Sequence, residues 1–79
     1  MDDKTMADAL QTILSELDKW PIRQRSLWHS TREQLPQWAT YETFRLWVDI
    51  LWVRRYIIRT MSGELRVSQA GKDWLMKRV

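Results

Sequence analysis

Apolar positions recur along this chain with two periods, and the change from one to the other divides it into elements. From Thr5 onward Met6, Leu10, Ile13, Leu14 and Leu17 form one continuous stripe at helical spacing. Thr5 followed by Asp8 has the chemistry of a helix start, with the acid in the first turn. Pro21 disfavours helical geometry at Trp20, so the helix ends there and a very short extended segment around Ile22 is expected. Residues 24–34 bring Leu27, Trp28, Thr31 and Leu35 to one side of a second helix, which Pro36 closes. Ser30 to Glu33 also fits a helix-starting capping box, but Pro36 leaves such a helix almost no length. Thr40 can cap a third helix, about residues 40–54, in which Phe44, Trp47, Val48 and Leu51 repeat at i, i+3, i+4 and i+7.

After Arg54 the period shortens to two. Residues 56–60 have strand composition, Met61-Ser62-Gly63-Glu64 has turn chemistry, and Leu65-Arg66-Val67 alternates as a return strand. Ser68 can cap a last helix with Ala70, Trp74, Leu75 and Met76 inward and Lys72, Asp73, Lys77 and Arg78 in water. This helix, ribbon and "VSQAGKDWL" exit resembles the C-terminal half of a winged helix-turn-helix DNA-binding domain. The likeness is carried by residues 44–51 as recognition helix, Tyr56-Ile57 as first wing strand, and Val67, Ser68 and Gly71 as the exit. Many members of that family place glycine between recognition helix and wing. Arg55 stands there instead, so a different helix-to-strand turn is expected. The resemblance implies one α+β domain over residues 1–79: a three-helix core, a β-hairpin wing over about 55–67 and a C-terminal helix, with the segment around Trp20 and Ile22 closing against the wing.

Composition narrows the chemistry. Small domains bury only about 60–65% of the surface their chain exposes, so the six tryptophans read first as core filling. Cysteine is absent and there is a single histidine, His29, so neither a thiolate metal site nor a nucleophile with its base can be assembled. Two glycines cannot form a phosphate-cradling loop. No enzyme activity, metal, cofactor or small-molecule ligand is expected. The acidic start of the chain does not read as a secretory leader, and the apolar run 46–53 is too short for a membrane span. A cytoplasmic protein is expected.

Charge is unevenly spread. The net charge is +3, yet five acids accompany one lysine before Lys19, and twelve Lys and Arg residues face five acids from there on. A basic body attracts phosphate, although ordinary surface charge has the same appearance. The resemblance then implies a transcriptional regulator that binds double-stranded DNA, and the small size of the chain suggests one of bacterial or phage type. Thr40, Tyr41, Thr43 and Arg45 would lie on the recognition helix and Arg54, Arg55, Arg59 and Arg66 on the wing, with Arg59 and Arg66 straddling a groove or phosphate line. Arg23, Arg25 and Arg32 would add contacts from the second helix, while Glu42 and Asp49 flank Arg45 as an ion-pair ladder. Leu46, Ile50, Trp52 and Val53 lie outside the core stripe, so the alternative is a winged-helix interaction module, most simply a homodimer, with no direct DNA contact.

Overall fold

The computed structural model describes residues 3–78; of the expected domain 1–79, Met1, Asp2 and Val79 lie outside the described residues. The chain folds as α+β: helices α1 (Asp3–Leu17), α2 (Gln24–Thr31) and α3 (Tyr41–Val53), an antiparallel hairpin of β1 (Ile57–Arg59) and β2 (Leu65–Val67), and helix α4 (Gln69–Arg78). A single bridge, Ile22 to Leu65, adds the segment before α2 to the free side of β2. Leu65 both donates to and accepts from Ile22, at 2.8 and 3.0 Å.

The core is built on α1. Its stripe buries Ala9, Leu10, Ile13, Leu14 and Leu17, and it touches α2, α3, α4 and β2. From the other side Leu27, Phe44, Trp47, Val48, Leu51, Ile57, Leu65 and Val67 complete one apolar cluster. Thr31 is the one polar residue fully inside among those described, and its hydroxyl donates to the Leu27 carbonyl at 2.8 Å. That local bond removes the cost of a buried, unsatisfied hydroxyl.

Several boundaries differ from the sequence reading. The first helix begins at Asp3, two residues before the expected Thr5. The second stops at Thr31 rather than near residue 34. Leu35, preceding Pro36, is held away from helical geometry, and tight turns closed by Gln34 to Thr31 and Ala39 to Pro36 carry the chain to α3. Ala70 and Met76 are exposed, and Gly71 takes the buried position in α4 beside half-buried Trp74 and Leu75. Trp20, expected to close the sheet, is 61% exposed; Ile22 does so without it.

The junction of α3, hairpin and α4 is set by a small group of backbone contacts. Thr40 caps α3, its hydroxyl accepting from the Thr43 N–H at 3.3 Å. At the far end Arg55 has φ +64°, the Tyr56 N–H donates to the Leu51 carbonyl at 2.9 Å, and the Arg55 N–H to the Trp52 carbonyl at 3.0 Å. This is a Schellman closure. The expected different turn is therefore not found: arginine adopts the left-handed conformation that glycine usually supplies, at a cost of roughly 1–2 kcal/mol. Ser68 holds the turn in place. Its hydroxyl donates to the Arg55 carbonyl at 2.6 Å and accepts from the Gly71 N–H at 3.2 Å, while its N–H donates to the Tyr56 carbonyl at 2.9 Å. Gly71 sits directly over that carbonyl. A Cβ there would overlap the Tyr56 carbonyl oxygen and approach Val67 Cγ1 to 2.7 Å.

Two substitutions test this junction by denaturant unfolding. Gly71→Ala should lower stability by about 1–3 kcal/mol, because backbone cannot move aside as a flexible side chain can; an unchanged midpoint would mean that α4 is not seated on Tyr56. Arg55→Gly should raise stability by about 0.5–1 kcal/mol by relieving the left-handed arginine, and a loss of stability would refute the assigned turn.

Candidate functional site

Arginines collect where α3 meets the hairpin. Arg54 is the C-cap of α3, Arg55 follows it, and Arg59 and Arg66 lie on the two strands. The bridge at Ile22 brings in a fifth. Arg23 lies against the hairpin turn, its Nη1 3.5 Å from where a Cβ on Gly63 would sit. None of these five forms an ion pair with an acid among the described residues. The turn itself is ordered by its own side chains: the Thr60 hydroxyl accepts from the Glu64 N–H at 3.1 Å, Ser62 donates to the Glu64 carboxylate at 2.9 Å, and Gly63 supplies a φ of +86°.

Register decides where the strand arginines project. Arg59 pairs with Leu65 and Arg66 with Ile58. Directly opposed residues share a face and neighbours along a strand do not, so Arg59 and Arg66 leave opposite faces of the ribbon. Each has a different setting. Arg59 borders a cleft with Gln24, Asp49 and Trp52, whereas Arg66 borders another with Asp18, Lys19, Trp20 and Lys72.

The α3 candidates are more committed to the protein itself. Thr40 and Thr43 share a hydroxyl contact at 3.2 Å besides the capping bond. Tyr41 is half-buried, stacked on Phe44 at 5.9 Å, edge-on to Trp28, and covered by the Arg25 guanidinium at 4.8 Å. Its hydroxyl accepts from Gln24 at 3.4 Å. Arg32 likewise lies 5.9 Å from the Trp28 ring, so two of the three α2-side arginines face aromatic rings. Arg45 pairs with Glu42 at 3.4 Å on an exposed face, a contact of little strength. Asp49, the other half of the expected ladder, has no ion pair among the described residues.

Beside the arginines lies an exposed apolar surface. Leu46 is 63% exposed, Trp52 52%, Val53 76% and Ile58 45%, while Ile50 is partly covered by the core. Trp52, Val53, Arg55, Ile57 and Ile58 line an open groove of about 500 Å³ between the end of α3 and β1. The sequence places Leu46, Ile50, Trp52 and Val53 outside the core and Trp20 against the wing, but it assigns Arg23 to the second helix and does not single out Lys72 for this end of the molecule. The signal that would have found Arg23 is the short segment before α2: once Ile22 pairs with the hairpin, the next residue must lie at its turn. Among the described residues no group of three or more His, Asp or Glu side chains is placed to hold a metal, and no helix is long and apolar enough to cross a membrane. Compared with known proteins, the chain matches no family model, no curated protein and no solved structure.

Proposed function

We propose that the chain is a winged helix-turn-helix domain that binds double-stranded DNA as a small transcriptional regulator, with the hairpin as its wing. The observation that carries this reading is that five arginines, Arg23, Arg54, Arg55, Arg59 and Arg66, lie on or beside the hairpin, Arg59 and Arg66 on its opposite faces, without acid partners among the described residues. Release of counterions from nucleic-acid phosphates gives a basic surface of this kind its affinity. The element order supports the same assignment: helix, bridged segment, two helices, hairpin. In this scheme the wing supplies most of the binding free energy. Arg45, freed from Glu42, supplies base preference from the exposed face of α3.

A second reading is favoured by one specific observation, the 63% and 76% exposure of Leu46 and Val53 on the outer side of α3. In that reading the helix face is a protein interface, most simply between two copies, and the arginines form its rim.

Binding of a duplex followed by fluorescence anisotropy at several salt concentrations tests the first reading. The double variant Arg59→Ala, Arg66→Ala should bind every sequence more weakly and reduce the slope of log affinity against log salt by about 2. Arg45→Ala should instead alter preference among sequences. Wild-type slope in the double variant would remove the wing from the interface. For the second reading, Leu46→Glu should convert a dimer to a monomer in sedimentation with its circular dichroism unchanged. A wild-type protein that sediments as a monomer at every concentration ends that reading.

A further inference from the structure

Half-exposed tryptophans and unpaired arginines occur together twice at the hairpin end. In the first place Trp52 lies 52% exposed over the groove formed with Val53, Ile57, Ile58 and Arg55, and its other side borders the cleft that holds Arg59. In the second Trp20, 61% exposed, borders the cleft containing Arg66, Lys19 and Lys72. Each place offers a large flat apolar ring with two or more cations at its edge, although Lys19 in the second is paired with Glu16 at 3.0 Å; an acid also lines each cleft, Asp49 with Arg59 and Asp18 with Arg66. Neither ring has an aromatic neighbour: the aromatic contacts of the described residues involve Trp28, Trp38, Trp47 and Trp74, with Trp20 and Trp52 in none.

We propose that Trp52, with Arg55 and Arg59, and secondarily Trp20, with Arg66, stack unpaired bases of single-stranded DNA at the hairpin end of this domain. The inference rests on the nucleic-acid reading above and changes its preferred substrate. A groove with an apolar floor and the Arg55 guanidinium in its wall, next to the cleft that holds Arg59, is complementary to a flat uncharged ring joined to a phosphate, which is the make-up of a nucleotide whose base is unstacked. Paired bases hide their faces in the helix stack and offer Trp52 nothing to lie on. A second copy is a poor occupant, because a two-fold partner on this groove would bring its own Arg55 up to this one. Stacking on aromatic rings combined with cationic tracking of the backbone is the general chemistry of single-strand binding.

The test compares fluorescein-labelled oligothymidylate of about twelve nucleotides, a length within the range of single-strand sites, with a duplex of equal length in low salt. The single strand should bind more tightly than the duplex. Trp52→Leu, which keeps the apolar volume, should weaken single-strand binding roughly 5- to 150-fold while duplex binding and circular dichroism stay as in wild type. Trp52→Phe should recover most of the loss, a result that a merely structural role would not give. Trp20→Leu should show a smaller loss of the same kind. Tighter binding of the duplex, or a single-strand affinity unmoved by both leucine variants, would overturn the stacking site and leave the nucleic-acid reading standing. Absence of binding to either probe would overturn both.

Discussion

The contact of the Gly71 backbone with the Tyr56 carbonyl fixes where everything at the hairpin end points. Because a side chain cannot fit there, the first turn of α4 lies directly on the residue that enters β1. Ser68 then bonds to the carbonyls of Arg55 and Tyr56 and to the N–H of Gly71, so one residue joins the end of α3, the start of the hairpin and the start of α4. The left-handed Arg55 is sustained by this arrangement. Its unfavourable φ would relax in a free helix end, but here both adjoining carbonyls are claimed as acceptors. Tyr56 and Trp74, stacked at 5.7 Å, add an aromatic contact on the same line. The orientation of the ribbon relative to α3 is therefore a backbone property, and the arginines inherit it.

The remainder of the fold gives that junction a base. Helix α1 packs against three helices and one strand, and α4 returns to it through Arg78, which reaches Asp8 at 3.0 Å and Gln11 at 2.8 Å. These polar contacts are exposed and contribute little each; the apolar cluster beneath them does the holding. The tryptophans divide unequally in this economy of space. Trp47 is enclosed, Trp28 and Trp74 are half-covered, and Trp20, Trp38 and Trp52 remain largely in water. Core filling, the first explanation for so many large rings, thus covers about half of them. The rest are a surface feature that a core argument leaves without cause.

Much of this was legible in the residues before any geometry. The stripes of the first and third helices, the Thr40 cap, the hairpin and the Ser68 to Gly71 exit all follow from local rules of spacing and capping, and local rules suffice where the deciding neighbours are close in sequence. The end of α2 falls three residues before the expected one: Pro36 bars helical geometry only at Leu35, and the turn from Thr31 to Gln34 that closes the helix earlier carries no glycine or proline to mark it. Arg55 was misjudged for a related reason: glycine is the signal for a left-handed turn, and here distant Ser68 and Gly71 impose it on another residue. The candidate site was less legible. Arg59 and Arg66 look alike in sequence, but strand register assigns them to opposite faces, and a one-residue difference in the turn would reverse that assignment. Arg23 could be grouped with the hairpin only through a pairing between residues 22 and 65.

The distribution of charge over α3 bears on how any polyanion would approach. Its N-terminal half exposes Glu42, already matched by Arg45, and Asp49 follows unpaired on the same helix; its C-terminal end runs into Arg54 and Arg55. Under the proposed function an anionic strand would be repelled along the helix and attracted at its end, so that the hairpin would meet the phosphates first. Beyond roughly 10 Å at moderate salt that steering is screened, and what then distinguishes one nucleic acid from another is short-range. Arg45 can exchange one carboxylate for a base edge, a difference near zero for an exposed pair. Trp52 has no such competitor. A ring that is half in water with no aromatic neighbour would gain whatever stacking a base provides, so at the proposed single-strand site selectivity would rest on Trp52, while Arg45 would govern preference among duplexes.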